Sequence, residues 1–288
     1  MRRARPATLE APHCDLAAGR CVACVDSTDC GGATPVCEAM TAACRACRRD
    51  AECASEVCDD ELGTCVDPSK VIYVATDGDD SRPCEQLKPC KTIQHAVDLV
   101  GKPGETRTIV RARASDVAYQ EHLAVIGKGV VIVGEGATLR ARLTDTTVLS
   151  VQNGADVTID GLRVTAAGGA APGVECQATP SLSTVLKLRR VTVAGNAGGG
   201  VSVSRCQFSI VNSFIVGNGN PDDDRAAIAY SILGSCRPRR RRSARVPRRR
   251  PAEAHGPDPD HRLAGVAAVA LAAARAAAAS ATSPASDA

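Results

Sequence analysis

Cysteine spacing constrains this chain more than any other feature. Ten of the 15 cysteines precede residue 66, and they form a repeat. Cys24, Cys30, Cys37 and Cys44 read C-x5-C-x6-C-x6-C, and Cys47, Cys53, Cys58 and Cys65 read C-x5-C-x4-C-x6-C. Cys14 and Cys21 reproduce the closing C-x6-C, so residues 1–66 hold two complete modules and the last half of a third. Each module has about 20 residues and little apolar material. A core cannot offset its ordering entropy. Two disulfides per module would, by restricting the unfolded chain. Four cysteines leave three connectivities open.

The competing use of these thiols is zinc. Cys21-x2-Cys24 and Cys44-x2-Cys47 have 19 residues between them, which suits a two-knuckle site. Zinc would leave Cys30, Cys37, Cys53, Cys58 and Cys65 idle, and would treat module boundaries as one site. Disulfides are the expected state, and with them an oxidising compartment, extracellular or at the outer cell surface. Met1-Arg2-Arg3-Ala4-Arg5 is not followed by an apolar export core of about 7–15 residues. The expectation is a longer gene, with the export signal and the missing half-module upstream. The segments "GRCVACVDSTDCGGATPVC" and "CRACRRDAECASEVCDDELGTC" resemble the cysteine-rich repeats of large surface proteins from soil-dwelling deltaproteobacteria.

From Val66-Asp67-Pro68-Ser69 the pattern changes, and residues 67–236 read as a second domain. Val71-Ile72-Tyr73-Val74 is a short strand, and Cys84 and Cys90 bracket a loop that a local disulfide would close. Thr92 caps a helix whose apolar face is Ile93, Ala96, Val97 and Val100, and Gly101 and Pro103 stop it. After residue 123 the chain is short apolar strands punctuated by Gly, Asn and Asp. Segments beginning at Val157, Leu186 and Phe208 align with one another, at offsets of 29 and 22 residues. Between them lie Val148-Leu149-Ser150-Val151, Gly173-Val174-Glu175-Cys176 and Gly200-Val201-Ser202-Val203. Several strands per period of about 20–30 residues signal a solenoid. An antiparallel sandwich would need two-residue hairpin turns, which these unequal offsets do not suit. Cys176 and Cys206 fall on adjacent rungs and can pair; Cys236 is left odd, its partner expected in chain beyond this one.

"IYVATDGDDSRPCEQLKPCKTIQHAVDLV" resembles the opening of a bacterial family with a pectate-lyase-like right-handed parallel β-helix. Tyr119-Gln120-Glu121 and Val131-Ile132-Val133-Gly134 match that family's next elements. The resemblance implies an all-β coil with the helix plugging its first rung. It also implies the activities of that superfamily: a lyase with Asp-bound calcium and an Arg or Lys base, or a hydrolase with paired carboxylates, both acting on acidic glycans.

The chemistry on offer is thin. Asp222, Asp223, Asp224 and Arg225 bring carboxylates and a base together, without the separated Asp motifs of the hydrolases. Asp77, Asp79 and Asp80 offer hard oxygen ligands at a spacing that suits calcium, although such a loop is commonly a solvated turn. His95 and His122 sit in the helix and first strand, and Ser202 and Ser204 on a strand. No nucleophile elbow or phosphate loop occurs, and no cofactor other than calcium is implied. The reading that follows is a secreted or cell-surface protein of structural or adhesion type. In it the modules act as a stalk, the coil is a display surface, and glycans or other surface proteins are the partners. A polysaccharide lyase or hydrolase is the alternative.

Only five aromatic residues occur, none of them Trp, so neither base stacking nor an aromatic-paved sugar groove is available. The net charge of +3 comes from the tail: residues 237–288 carry 11 Arg and four acidic residues. That basicity gives the folded part no nucleic-acid surface. Residues 263–279 are mostly Ala and contain Arg275, a poor membrane span. The Arg/Pro/Ala-rich tail reads as low-complexity, either disordered or out of frame, because these residue types have GC-rich codons. A shifted frame near codon 236 should restore Gly/Asn-punctuated strands; alternative frames without them would defeat that reading.

Overall fold

The fold is seen in a computed structural model that describes residues 13–15, 20–219 and 228–231, with backbone only for 13–15, 20–21 and 228–231. Asp222, Asp223, Asp224, Arg225, Cys236 and the tail lie outside the described residues, as do the side chains of Cys14 and Cys21. The chain from Val71 onward winds into a parallel β-solenoid of about four turns. Three stacked sheets form its walls. The first holds Val71–Val74, Ile109–Ala112, Gly129–Val133, Asp156–Asp160, Val185–Arg189 and Gln207–Val211. The second holds Tyr119–Gln120, Thr138–Arg140, Arg163–Thr165, Thr192–Ala194 and Phe214–Val216. The third holds Leu123–Ile126, Leu149–Gln152, Val174–Gln177, Val201–Ser204 and Ile228–Ser231.

The repeat aligned in the sequence is the register of the walls. Val157 pairs with Leu186, and Leu186 with Phe208; Leu149, Val174 and Val201 stack likewise. Alternate side chains point inward, so Val157, Ile159, Leu186, Leu188, Val164 and Val193 are almost fully buried in one aliphatic column. Ser213, which interrupts the third copy, accepts the Val191 N–H and donates to the Val211 carbonyl. Phe214 faces outward beside Thr192, and Ile215 takes the inward position beside Val193. The Gly and Asn residues at the turns divide into two kinds. Asn153 and Gly154 both adopt left-handed backbone (φ +54° and +82°), as do Gly195 and Gly217. Asn196 and Asn218 instead turn their amides inward. The wholly buried Asn196 donates to Asn218 Oδ1 at 2.8 Å and accepts the Ala167 N–H at 2.9 Å. Cys176 and Cys206 join adjacent rungs.

The helix Ile93–Leu99 plugs the first rung through Ile93, Ala96 and Val97, all fully buried. Seven residues make a marginal helix on their own, and the coil holds both its ends. Glu121 accepts the N–H groups of Ile93 and Gln94 at 2.9 and 2.7 Å, while the Lys128 ammonium donates to the carbonyls of Val97 and Val100. Thr92 adds its hydroxyl to the His95 N–H, and Cys84 and Cys90 close the preceding loop.

The two complete modules share one connectivity. First pairs with third and second with fourth: Cys24–Cys37 and Cys30–Cys44, then Cys47–Cys58 and Cys53–Cys65. Cys24, Cys44 and Cys47 are therefore committed as disulfides, which removes the zinc reading: a disulfide sulfur is not a thiolate ligand. The hairpin Val36–Glu38/Ala43–Arg45 sets Cys37 opposite Cys44, and Cys58 opposes Cys65 in the next. Cys14 and Cys21 take the same backbone register in the leading half-module. Among the described residues no helix is long and apolar enough to cross a membrane.

Removing the Glu121 carboxylate strands a buried donor, the Ile93 N–H, and a half-buried one, the Gln94 N–H, at the helix start. Glu121→Ala should cost about 1–3 kcal/mol in denaturant unfolding; an unchanged midpoint would contradict the plug's dependence on it.

Candidate functional site: the outer face of the first sheet

The outward positions of the first sheet form two columns. One runs Val71, Ile109, Val131, Thr158, Lys187, Ser209; the other runs Tyr73, Arg111, Val133, Asp160, Arg189, Val211. Near the N-terminal rung both are apolar apart from Arg111, and Lys187, Asp160 and Arg189 bring charge farther along. The second module lies on them. Val57 and Val66 pack against Val71, Tyr73, Ile109, Val131 and Val133, and the Tyr73 hydroxyl donates to the Ser55 carbonyl at 3.0 Å. The Arg113 guanidinium stands 5.7 Å over the Tyr73 ring. This module is seated on the coil by an apolar stripe.

Ion pairs bolt the module down. Glu56 receives Arg113 at 2.6 Å and lies 3.7 Å from the buried Arg111 Nε. Asp60 receives both Arg189, at 2.8 Å, and Arg190. Asp160, one rung below Arg189, accepts Arg190 Nε at 2.7 Å and lies 3.5 Å from Arg189 Nε. Burial pushes the Asp160 carboxyl above its ordinary range, against the pull of Arg190 and Arg189. Burial likewise raises Asp50, although its carboxylate accepts the Cys58 N–H at 2.8 Å. At Glu56 burial also opposes ionisation, but Arg113 together with Gln86 and Arg111 outweighs it and holds the carboxyl low. A carboxyl of raised pKa beside arginines on adjacent rungs has the makings of proton transfer. Here Asp160 is only 6% exposed and each of its oxygens faces a guanidinium of this chain. The arrangement is a lattice of internal pairs.

At the edge of the module a cleft of about 430 Å3 opens, lined by Arg48, Arg49 and Asp50 from the module and by Glu135, Arg163 and Arg190 from the coil. Arg45 braces the module behind it, donating to Glu38 of the first module at 2.7 Å and to both oxygens of Glu52 at 3.1 Å.

The sequence candidates fall elsewhere. Asp79 accepts the backbone N–H and hydroxyl of Ser81, and Asp80 accepts the N–H groups of Lys91 and Thr92 and the Thr92 hydroxyl. Asp77 lies exposed in the same loop. Among the described residues, the groups of three potential ligands within 4.8 Å of one another all contain disulfide cysteines; Asp77, Asp79 and Asp80 form no such group. His122 Nδ1 contacts the Thr147 carbonyl, and His95 is half-buried on the plug helix. Sequence reasoning missed Arg111, Asp160, Arg189 and Arg190. The signal was present: the aligned repeat already places Asp160 on Arg189.

No protein-family model, curated protein or solved structure matches the chain.

Glu52 anchors the module's charged edge, and the Arg45 hydrogen bonds hold its pKa down at about 2. An unfolded Glu titrates near about 4.3. The stability Glu52 contributes is therefore complete above that pH and is lost as pH falls towards about 2. Acid titration of the thermal midpoint should show this loss, and Glu52→Gln should shallow the slope in that window. An identical slope in the variant would contradict it.

Proposed function

We propose that the chain is a secreted or cell-surface protein of structural or adhesion type, whose coil and second module form one scaffold. The observation that carries this reading is the fate of the charged groups on the first sheet. Asp160 stands one rung before Arg189 and Arg190, as a catalytic face would require, yet they are spent on each other and on Asp60. An acid–base pair must be free to reach substrate, whereas Asp160 is buried and both of its oxygens are taken by Arg190 and Arg189, even though those two guanidinium groups stay partly exposed. Disulfide density supports an oxidising location. The sequence resemblances, to pectate-lyase-like coils and to deltaproteobacterial surface repeats, point the same way for fold and setting. Fold likeness does not assign activity. Surface glycans or other surface proteins are the partners this reading implies.

The test is incubation of the purified full chain with acidic polysaccharides, with and without calcium. The expected outcome is neither unsaturated uronate nor new reducing ends. Turnover that disappears in Asp160→Asn or in Asp222→Asn would overturn the reading in favour of a polysaccharide lyase or hydrolase.

A further inference from the structure

The cleft at the module's edge carries more positive charge than its own partners neutralise. Four arginines line it against two carboxylates. Glu135 is matched from beneath by the buried Arg111, whose Nη2 donates to it at 2.7 Å. Asp50 is 6% exposed and accepts the Cys58 N–H. Arg190 is shared between Asp160 and Asp60, and Arg49 pairs with Glu52 at 3.1 Å. Arg48 and Arg163 remain. Both are exposed, and neither side chain has a hydrogen-bond or ion-pair partner among the described residues. One comes from the module and the other from the second sheet, so docking is what puts two unpaired guanidinium groups on one cleft.

Gly136 and Gly161 also line the cleft, both with positive φ. A Cβ on Gly161 would sit 2.8 Å from the Glu135 nitrogen, so that side is closed by main chain, whereas a Cβ on Gly136 would meet nothing within 4 Å. At Gly136 a ligand can approach the main chain closely. A cleft of about 430 Å3 exceeds what a bare oxyanion fills and suits a group of sugar size attached to one. Guanidinium forks match tetrahedral oxyanions through paired N–H···O bonds. Arg48 and Arg163 offer two unpaired guanidinium forks, set against the one lining carboxylate without an ion-pair partner among the described residues, Asp50, and a phosphate monoester carries about −1.5 to −2 at neutral pH.

We propose that this cleft binds a phosphate monoester carried on a sugar. The inference deepens the surface reading by giving a glycan partner its chemistry, and it rests on that reading for its setting. The ester has two sources, a free sugar phosphate or a monoester phosphate on a surface polysaccharide.

Calorimetric titration of the full, oxidised chain tests it. The probes are a hexose monophosphate, a polysaccharide carrying monoester phosphates, and galacturonate as the carboxylate control. Saturable binding of the hexose monophosphate is expected, weakening with added salt. The exposed double variant Arg48→Ala/Arg163→Ala should lose tenfold or more in affinity, with unchanged thermal unfolding as the check that it folds. Arg163→Lys should lose less than Arg163→Ala. Tighter binding of the polymer supports a surface glycan as the source, and equal binding supports a free ester. No saturable binding of either phosphate probe, unaltered affinity in the folded double variant, or a preference for galacturonate would overturn the proposal. Each of those failures leaves the non-enzymatic reading standing, whereas uronate release would overturn that reading and leave the cleft's binding intact.

Discussion

A parallel coil fills its own interior but cannot hide the outward face of its walls. Whatever occupies the outward positions must be wetted or covered. In this chain the first rungs of the first sheet present Val71, Tyr73, Ile109, Val131 and Val133 outward, and that stripe needs a cover. The second cysteine module supplies it with Val57 and Val66. The rest of the surface chemistry follows from the docking: the arginines farther along the sheet meet module carboxylates, and a basic cleft forms where the module ends.

The module can serve as a cover because its shape does not depend on a core. Its buried cluster is Cys47, Cys53 and Cys58 with Val36 of the first module, essentially sulfur and one borrowed valine. Disulfides set the hairpin that carries Cys58 and Cys65, and through it the positions of Glu56 and Asp60. The coil supports itself differently. Its rungs stack in register, a helix closes the first one, and the ends of that helix are satisfied by Glu121 and Lys128. The two halves therefore rest on unlike physics, covalent staples in one and aliphatic stacking in the other. They meet over a small apolar patch ringed by ion pairs. Partly buried pairs of this kind add little net stability, but they fix orientation, and orientation is what creates the cleft.

Much of the fold was legible in the residues. The offsets from Val157 to Leu186 to Phe208 are the pairing register, and the Ile93/Ala96/Val97/Val100 face is the buried face of the plug. Cysteine counting gave the modules, but pairing within them needed the hairpins, because spacing alone does not say which sulfurs meet. The site was less legible. Alternation marks a strand as half-buried, whereas Val71-Ile72-Tyr73-Val74 and Val130-Val131-Ile132-Val133 are apolar without interruption. Such runs mark burial on both faces. What covers the second face lies more than 50 residues away from Arg113 in the case of Glu56, and no local pattern encodes that contact. The acidic run from Asp222 to Asp224 drew attention because its charges are adjacent in sequence; Asp160 and Arg189 are adjacent only in space.

The central claim is that the second module and the coil are one packed body. A double-mutant cycle on Glu56 and Arg113 tests it most directly, since these residues touch only if the module is seated. Unfolding free energies of the parent, Glu56→Ala, Arg113→Ala and the double variant give the coupling. The docked arrangement predicts a favourable coupling of about 0.5–3 kcal/mol, the range for residues in direct contact. Additivity within about 0.3 kcal/mol, as for independent sites, would contradict it.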